Sequence, residues 1–186
     1  MINREFFYDY VRGHLFGGRL RQSQVDGMNA ILDTWDGGFA KKDDRWLAYM
    51  LATTHHETGM TMQPIEEWGK GRGRSYGAPD PETGQTYYGR GFVQLTWKNN
   101  YAKMGTRLKV DLVDHPELAL DLVVATRVMF IGMMEGSFTG VKLGDYFNPA
   151  KGDWVNARRI INGTDRAQNI AQYAKSYYAS LSHTTG

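Results

Sequence analysis

Hydrophobic positions recur along most of this chain at spacings of three and four, the signature of helices that bury one face. Phe6, Phe7, Tyr10, Val11 and His14 or Leu15 predict a first amphipathic helix over residues 3–15, punctuated by Gly13 and Gly17-Gly18. Ser23 is placed to cap a second, with Val25, Met28, Ile31, Leu32 and Trp35 as its buried stripe and Gly37-Gly38 as its stop. Asp43 or Asp44 caps a third, in which Trp46, Leu47, Met50, Leu51 and Thr54 lie along one side and Glu57-Thr58-Gly59 closes the last turn.

The periodicity then fails over residues 60–91. Seven of the 22 glycines fall between Gly69 and Gly91, alongside Pro64, Pro79 and Pro81, which predicts a long loop or a short hairpin lobe. Loops of this length in compact domains are usually functional or disordered. Phe92–Leu95 is at most a short strand, Thr96 caps a helix reaching about Leu108, and Pro116 sits in the first turn of another. Residues 122–134 are apolar nearly all round and predict the central buried helix. Residues 153–161 and 165–181 give two more, with Thr164 or Asp165 capping the last. The expectation is a mainly α single domain over residues 1–186: about seven helices, one small β-hairpin element, two lobes and a cleft between them.

Composition narrows the class. With 186 residues, 41% hydrophobic and 13% aromatic, the chain can fill a core without cross-links, and it contains no cysteine to make any. A protein made in a reducing cytoplasm fits. Charged residues interrupt the N-terminal stretch where a secretion signal would be apolar, and no run approaches the roughly 18 apolar residues of a membrane span. Neither signal peptide nor membrane anchor is expected. The net charge of +2 favours encounter with an anionic surface without calling for nucleic acid.

Chemistry concentrates between Thr53 and Tyr101. Glu57 at a helix C-terminus faces the negative end of the dipole, and partial burial adds to that, a setting that suits a general acid; a solvated glutamate in a last turn is the alternative. His55 and His56 point about 100° apart on a helix, and no His-Glu-x-x-His motif is present, so no metal is expected there. His56 is read as a hydrogen-bonding residue of the cleft floor, with a satisfied core histidine as the bland alternative. Glu66 and Glu67 follow nine and ten residues after Glu57, and two carboxylates across a cleft are the minimum for glycoside hydrolysis. Of these Glu67 is favoured as the base: with Ile65 and Trp68 both packed inward, the two glutamates diverge, and Glu66 is placed to pair with Lys70. Gly69-Lys-Gly-Arg-Gly-Arg74 lacks the spacing of a phosphate-binding loop. Tyr87, Tyr88, Phe92, Trp97 and Tyr101 offer sugar-stacking surface, although aromatics at this density are more often core; some of each is expected, with Tyr88 and Trp97 as the substrate contacts.

Taken in order, His56-Glu-Thr-Gly59, Tyr87-Tyr-Gly-Arg-Gly-Phe-Val-Gln-Leu-Thr96 and Ile161-Asn-Gly163 resemble the family 19 glycoside hydrolases. That family has a lysozyme-like, chitinase-type fold and also includes phage and bacterial peptidoglycan-cleaving lysins. The resemblance covers residues 45–180 and implies inverting hydrolysis of β-1,4 bonds beside N-acetylhexosamines, with Glu57 as general acid and no cofactor. It puts Gln94 and Thr96 on the substrate- and water-positioning turn, Arg90 within the same motif, and Asn100 and Asn162 on substrate-binding positions. It gives the second carboxylate to Glu66 or Glu67. The missing disulfides and Gly59, where many plant chitinases carry a second threonine, favour the lysin branch. The reading is therefore a monomeric endolysin-type muramidase acting on peptidoglycan. It would stay in the cytoplasm until a separate membrane-permeabilising protein releases it to the wall. A chitinase is the alternative within the family, and a non-catalytic basic glycan- or nucleic-acid-binding module built on Gly69–Arg74 the alternative outside it.

Overall fold

A computed structural model describes residues 1–182. In chain order it contains α1 (Arg4–Leu15), α2 (Gln22–Gly38), α3 (Asp44–Glu57), β1 (Ile65–Glu66), β2 (Arg90–Gly91), α4 (Lys98–Leu108), α5 (Leu122–Glu135), α6 (Leu143–Tyr146), β3 (Phe147–Asn148), β4 (Lys151–Gly152) and α7 (Ala167–Ser180). Three 3₁₀ turns, Ser75–Gly77, Pro116–Leu120 and Asn156–Ile160, lie between them. The protein is mainly helical, as expected, and divides into two compact units: residues 1–62 with 130–186, and residues 63–129. None of the helices among the described residues is long and apolar enough to cross a membrane.

In the first unit α3 is the organising element. Nine consecutive residues, Leu47–His55, are buried, although the sequence pattern predicts one buried side only. The reason is that α7 packs along α3 while α2 covers it elsewhere, so even its polar Thr53 and Thr54 lie inside. Asp43 starts the helix by accepting the Arg45 amide hydrogen at 3.0 Å, the cap expected from sequence. The Arg45 guanidinium goes on to the carbonyls of Asn148 and Lys151, and the Trp46 indole donates to Phe147, which fixes the β3–β4 hairpin against α3. That hairpin has no alternating pattern in the sequence and was not expected.

α1 begins with Asn3 accepting from the Phe6 amide and buries Phe7 and Val11, Phe7 stacking on Tyr177 of α7. α2 starts before Ser23 because the Gln24 side chain accepts the Arg21 amide hydrogen and supplies the cap. α5 is not buried all round: it exposes Val123 and Arg127, so the role of fully buried helix passes to α3. α7 begins at Ala167, two residues later than expected, and its cap position is Arg166, in a left-handed conformation, in place of Thr164 or Asp165.

In the second unit β1 and β2 pair antiparallel, Ile65 opposite Gly91 and Glu66 opposite Arg90. Phe92–Leu95 is a tight turn and not a strand, closed by two backbone bonds between Arg90 and Leu95. Gly91 has φ +93°, and a Cβ there would stand 3.0 Å from the Ala119 carbonyl of the Pro116–Leu120 turn, so β2 and that turn are in close backbone contact. Pro116 opens it at the first position, as expected, but the turn stays 3₁₀ and short. Thr96 does not cap α4. Trp97 does, at φ +77°, held there by its amide bond to the Tyr87 carbonyl.

Candidate active site

Each unit carries part of the chemistry. In the first, Glu57 is the last residue of α3, with its side chain 19% exposed. Arg158 Nη1 donates to Glu57 Oε1 at 2.5 Å, and Arg158 Nε donates to the Asp165 carbonyl at 3.0 Å. Arg158 is itself only 3% exposed and rides on the Asn156–Ile160 turn. A planar guanidinium held at two points presents its remaining donors in one fixed direction, so this charge-assisted bond orients the carboxylate as well as neutralising it. Glu57 Oε2 has no partner among the described residues. Asn162 closes the same turn, its amide bonded to the Arg158 carbonyl at 3.0 Å, and its side chain is exposed. Sequence reasoning missed Arg158. The only signal was an Arg-Arg pair just before the Ile-Asn-Gly motif, and its partner lies 101 residues away.

The two histidines separate clearly. His55 is 1% exposed, its Nδ1 lies 3.0 Å from the Tyr177 hydroxyl, and its ring meets Phe16 edge-on. Burial, and then the neighbouring His56, push its pKa down to about 4. It is the core histidine. His56 is half-buried beside Glu57, with its pKa lowered chiefly by burial; the Glu57 charge acts in the opposite sense.

In the second unit the neighbouring glutamates have different partners. Glu66 Oε1 accepts from the Tyr88 hydroxyl at 2.7 Å, and Oε2 pairs with Lys70 Nζ at 3.0 Å. The Tyr88 bond and then the Lys70 bond hold the Glu66 carboxyl below the usual carboxylate range. Glu67 Oε1 accepts from the Tyr76 hydroxyl at 2.9 Å and Oε2 from the Gly89 amide at 3.0 Å, while the Glu67 amide donates to the Gly89 carbonyl at 2.7 Å. A side chain at 89 would crowd this arrangement, since an added Cβ would lie 2.9 Å from Gln94 Oε1 and 3.3 Å from Glu67 Cβ, so the Gln94 amide or the glutamate would have to shift. The premise for favouring Glu67 fails at one residue: Trp68 is 98% exposed and does not pack inward. The Glu66–Lys70 pair is present, but Lys70 is largely exposed, and such pairs hold with little energy. Glu66 can therefore exchange its lysine for water more easily than Glu67 can give up a backbone amide.

The turn after β2 is held by its own side chains. Gln94, at φ +56°, donates through Nε2 to the Ile65 carbonyl at 3.0 Å and the Gly91 carbonyl at 3.2 Å. The Thr96 hydroxyl donates to the Gln94 carbonyl at 2.8 Å, and Asn100 Nδ2 to the Thr96 carbonyl at 2.8 Å. Arg90 is 5% exposed, its guanidinium 3.7 Å over the Tyr88 ring and its Nη1 bonded to Tyr101 and to backbone carbonyls. It fixes the ring that in turn fixes Glu66. Trp97 is half exposed and meets Tyr76 edge-on at 5.0 Å. Among the described residues, five of the seven non-glycine residues with positive φ lie at 60–97: Met60, Met62, Lys70, Gln94 and Trp97. Strain of this kind persists where surroundings over-determine it, commonly at ligand sites.

A carboxylate oriented by a buried arginine, and a second carboxylate kept ionised by a tyrosine, are the parts of acid–base glycoside hydrolysis. Residues 33–158 match the glycoside hydrolase family 19 model described as chitinase class I, and the chain belongs to that family. Among named relatives, Chitinase 3 of Oryza sativa subsp. japonica is 34% identical over 122 residues, covering 57% of this chain and 38% of its own. Endochitinase CHI of Arabidopsis thaliana is 30% identical over 171 residues, covering 87% and 61%. The chain thus spans about two fifths of the rice relative's length. The crystal structure of chitinase C from Streptomyces griseus HUT6037 superposes with TM-score 0.60 at 25% identity, covering 94% of this chain and 91% of that one. A family 19, class IV chitinase from Zea mays gives 0.58 at 21% identity and shares the fold.

Proposed function

We propose that this chain hydrolyses β-1,4 bonds between N-acetylhexosamines by an inverting acid–base mechanism. The observation that carries the reading is the Glu57–Arg158 pair, both members of which lie inside the family-matched segment. Glu57, carrying its proton on Oε2 while Arg158 holds Oε1, donates that proton to the leaving glycosidic oxygen and is left as the carboxylate that the arginine stabilises. Glu66, released from Lys70, takes a proton from the water that attacks the anomeric carbon from the opposite face, and Thr96 helps to place that water. Glu67 holds the loop through Gly89 and Tyr76. This reverses the preference for Glu67 drawn from the sequence.

A chitin-type glycan is the first reading of the substrate, because the named relatives are chitinases and none of their names carries a bacterial wall. The endolysin reading drawn from the sequence takes second place. One observation favours peptidoglycan: a cavity beside the segment that follows Glu57 is lined by Arg19 and Arg21, neither of which has an acidic partner among the described residues. The test is Glu57→Gln against soluble chitooligosaccharides and against purified sacculi. A loss of about 10²–10⁴ in rate with the fold intact is expected, the usual worth of a general acid. Product anomers read by NMR should be inverted; a retained configuration, or an active folded variant, refutes the mechanism.

A further inference from the structure

The residues that follow Glu57 form one wall of a cavity of about 580 Å³ in the first unit. Its other wall is the α1–α2 connection from Phe16 to Arg21 with the first turn of α2. Gln24, itself buried, ties the walls together: Nε2 donates to the Met60 carbonyl at 2.9 Å, and Oε1 accepts the Arg21 amide hydrogen at 2.8 Å. Phe16 in the lining rests edge-on against His55, so the cavity is seated on the helix that ends in Glu57. The wall at residues 59–61 has left-handed backbone at Gly59 and, under strain, at Met60; Met62 just beyond it is left-handed too, and its amide bond to Thr58 Oγ1 helps to hold the segment.

Arg19 and Arg21 both open onto this cavity, and its lining contains no aspartate or glutamate. Neither guanidinium has an acidic partner among the described residues, whereas Arg4, Arg12, Arg45 and Arg158 each pair with a carboxylate. Two unpaired guanidiniums around one hollow leave a positive field there, and their planar forks match a carboxylate. The wall that carries them also lies outside the family-matched segment, which begins at residue 33.

We propose that this cavity binds a carboxylate carried by the glycan, which extends the substrate range beyond neutral chitin to N-acetylhexosamine polymers with acidic substituents, such as the lactyl and peptide carboxylates of bacterial peptidoglycan. The proposal rests on the glycan hydrolysis proposed above and adds the substrate class. Neutral chitin has no group for these arginines. A phosphate polymer attached to the wall offers the same anionic chemistry, so the test separates the two sources.

Two readouts decide. The first is binding, with N-acetylmuramic acid and N-acetylglucosamine titrated by NMR into Glu57→Gln protein; the two sugars differ by the lactyl carboxylate. N-acetylmuramic acid should shift the amides of residues 19–24 and 59–61 and bind at least about 3-fold more tightly, and Arg19→Ala with Arg21→Ala should erase the difference. The second is cleavage by protein with Glu57 intact. The double variant should lose about 10-fold or more on sacculi stripped of phosphate polymers and nothing on chitohexaose, while lysine at both positions should restore part of the loss. No preference for N-acetylmuramic acid, or equal losses on both substrates, overturns the cavity's role and leaves the hydrolase reading standing. A loss confined to sacculi that retain phosphate polymers overturns the carboxylate in favour of phosphate. An intact preference for N-acetylmuramic acid in a protein that cuts only chitohexaose supports the cavity and refutes the wall polymer as substrate.

Discussion

Lowering the pH should destabilise this protein through one buried residue, His55. It is buried against Tyr177 and Phe16, and its pKa is pushed down to about 4 from an ordinary value of 6.5. In the unfolded chain it regains the ordinary value, so between pH 6.5 and 4 the unfolded state binds more protons than the folded one. Stability from this group is therefore fully present above pH 6.5 and is lost as pH falls towards 4. With these two values the loss is about 2 kcal/mol at pH 5 and about 3 kcal/mol at pH 4. For a chain of this size, 2 kcal/mol corresponds to a fall in Tm of about 4–8 °C. The assay is urea unfolding at pH 7.5, 6, 5 and 4 for the protein and for His55→Gln. The variant is less stable at neutral pH, but its stability should fall less steeply with acid. His56 is present in both proteins and drops out of the comparison. Parallel curves for the two proteins would refute the assignment and place the acid sensitivity elsewhere.

Glu66→Gln should reduce kcat by a factor on the order of 10² or more, whereas Glu67→Gln should mainly lower Tm, because its carboxylate ties Tyr76 to Gly89; severe kcat loss confined to Glu67→Gln would reverse the roles. Tyr88→Phe removes the bond that does most to hold the Glu66 carboxyl down. The base then protonates at a higher pH, so the acidic limb of the kcat/KM profile should move upward, and an unmoved limb would contradict Glu66 as the base. Arg158→Met should destabilise by about 3 kcal/mol by leaving Glu57 without its cation, and combining it with Glu57→Gln should recover part of that in a denaturant double-mutant cycle; strict additivity would mean that the pair is not coupled.

What was legible in the sequence follows the range of the forces involved. α1 and α3 begin where Asn3 and Asp43 allow, because a cap is a contact over two or three residues. The start of α4 was misread because Trp97 is held by Tyr87 across ten positions and not by the local hydroxyl of Thr96. Glu57 could be read from its motif, but Arg158 could not, since nothing local distinguishes it from its exposed neighbour Arg159. The choice between Glu66 and Glu67 turned on Trp68, a large apolar residue that hydrophobicity alone sends inward and the structure leaves in solvent. The endolysin preference rested on absent disulfides and one glycine, which describe how the chain is stabilised more than what it cuts.

The clamp at Gly89 has a use in engineering. Residues 68–88 leave the scaffold at Glu67 and return at Gly89, and those two residues exchange a backbone bond and a carboxylate bond. A segment whose ends are fixed this closely can be treated as a cassette. Doubling its length would cost only about 0.6 kcal/mol of additional closure entropy, so loops with other aromatic or charged residues could be grafted between the same anchors to retune which glycans are recognised. Such a graft must keep a donor for Glu67 Oε1 where Tyr76 now stands, the Tyr88 hydroxyl that holds Glu66 and the Tyr87 carbonyl that fixes Trp97.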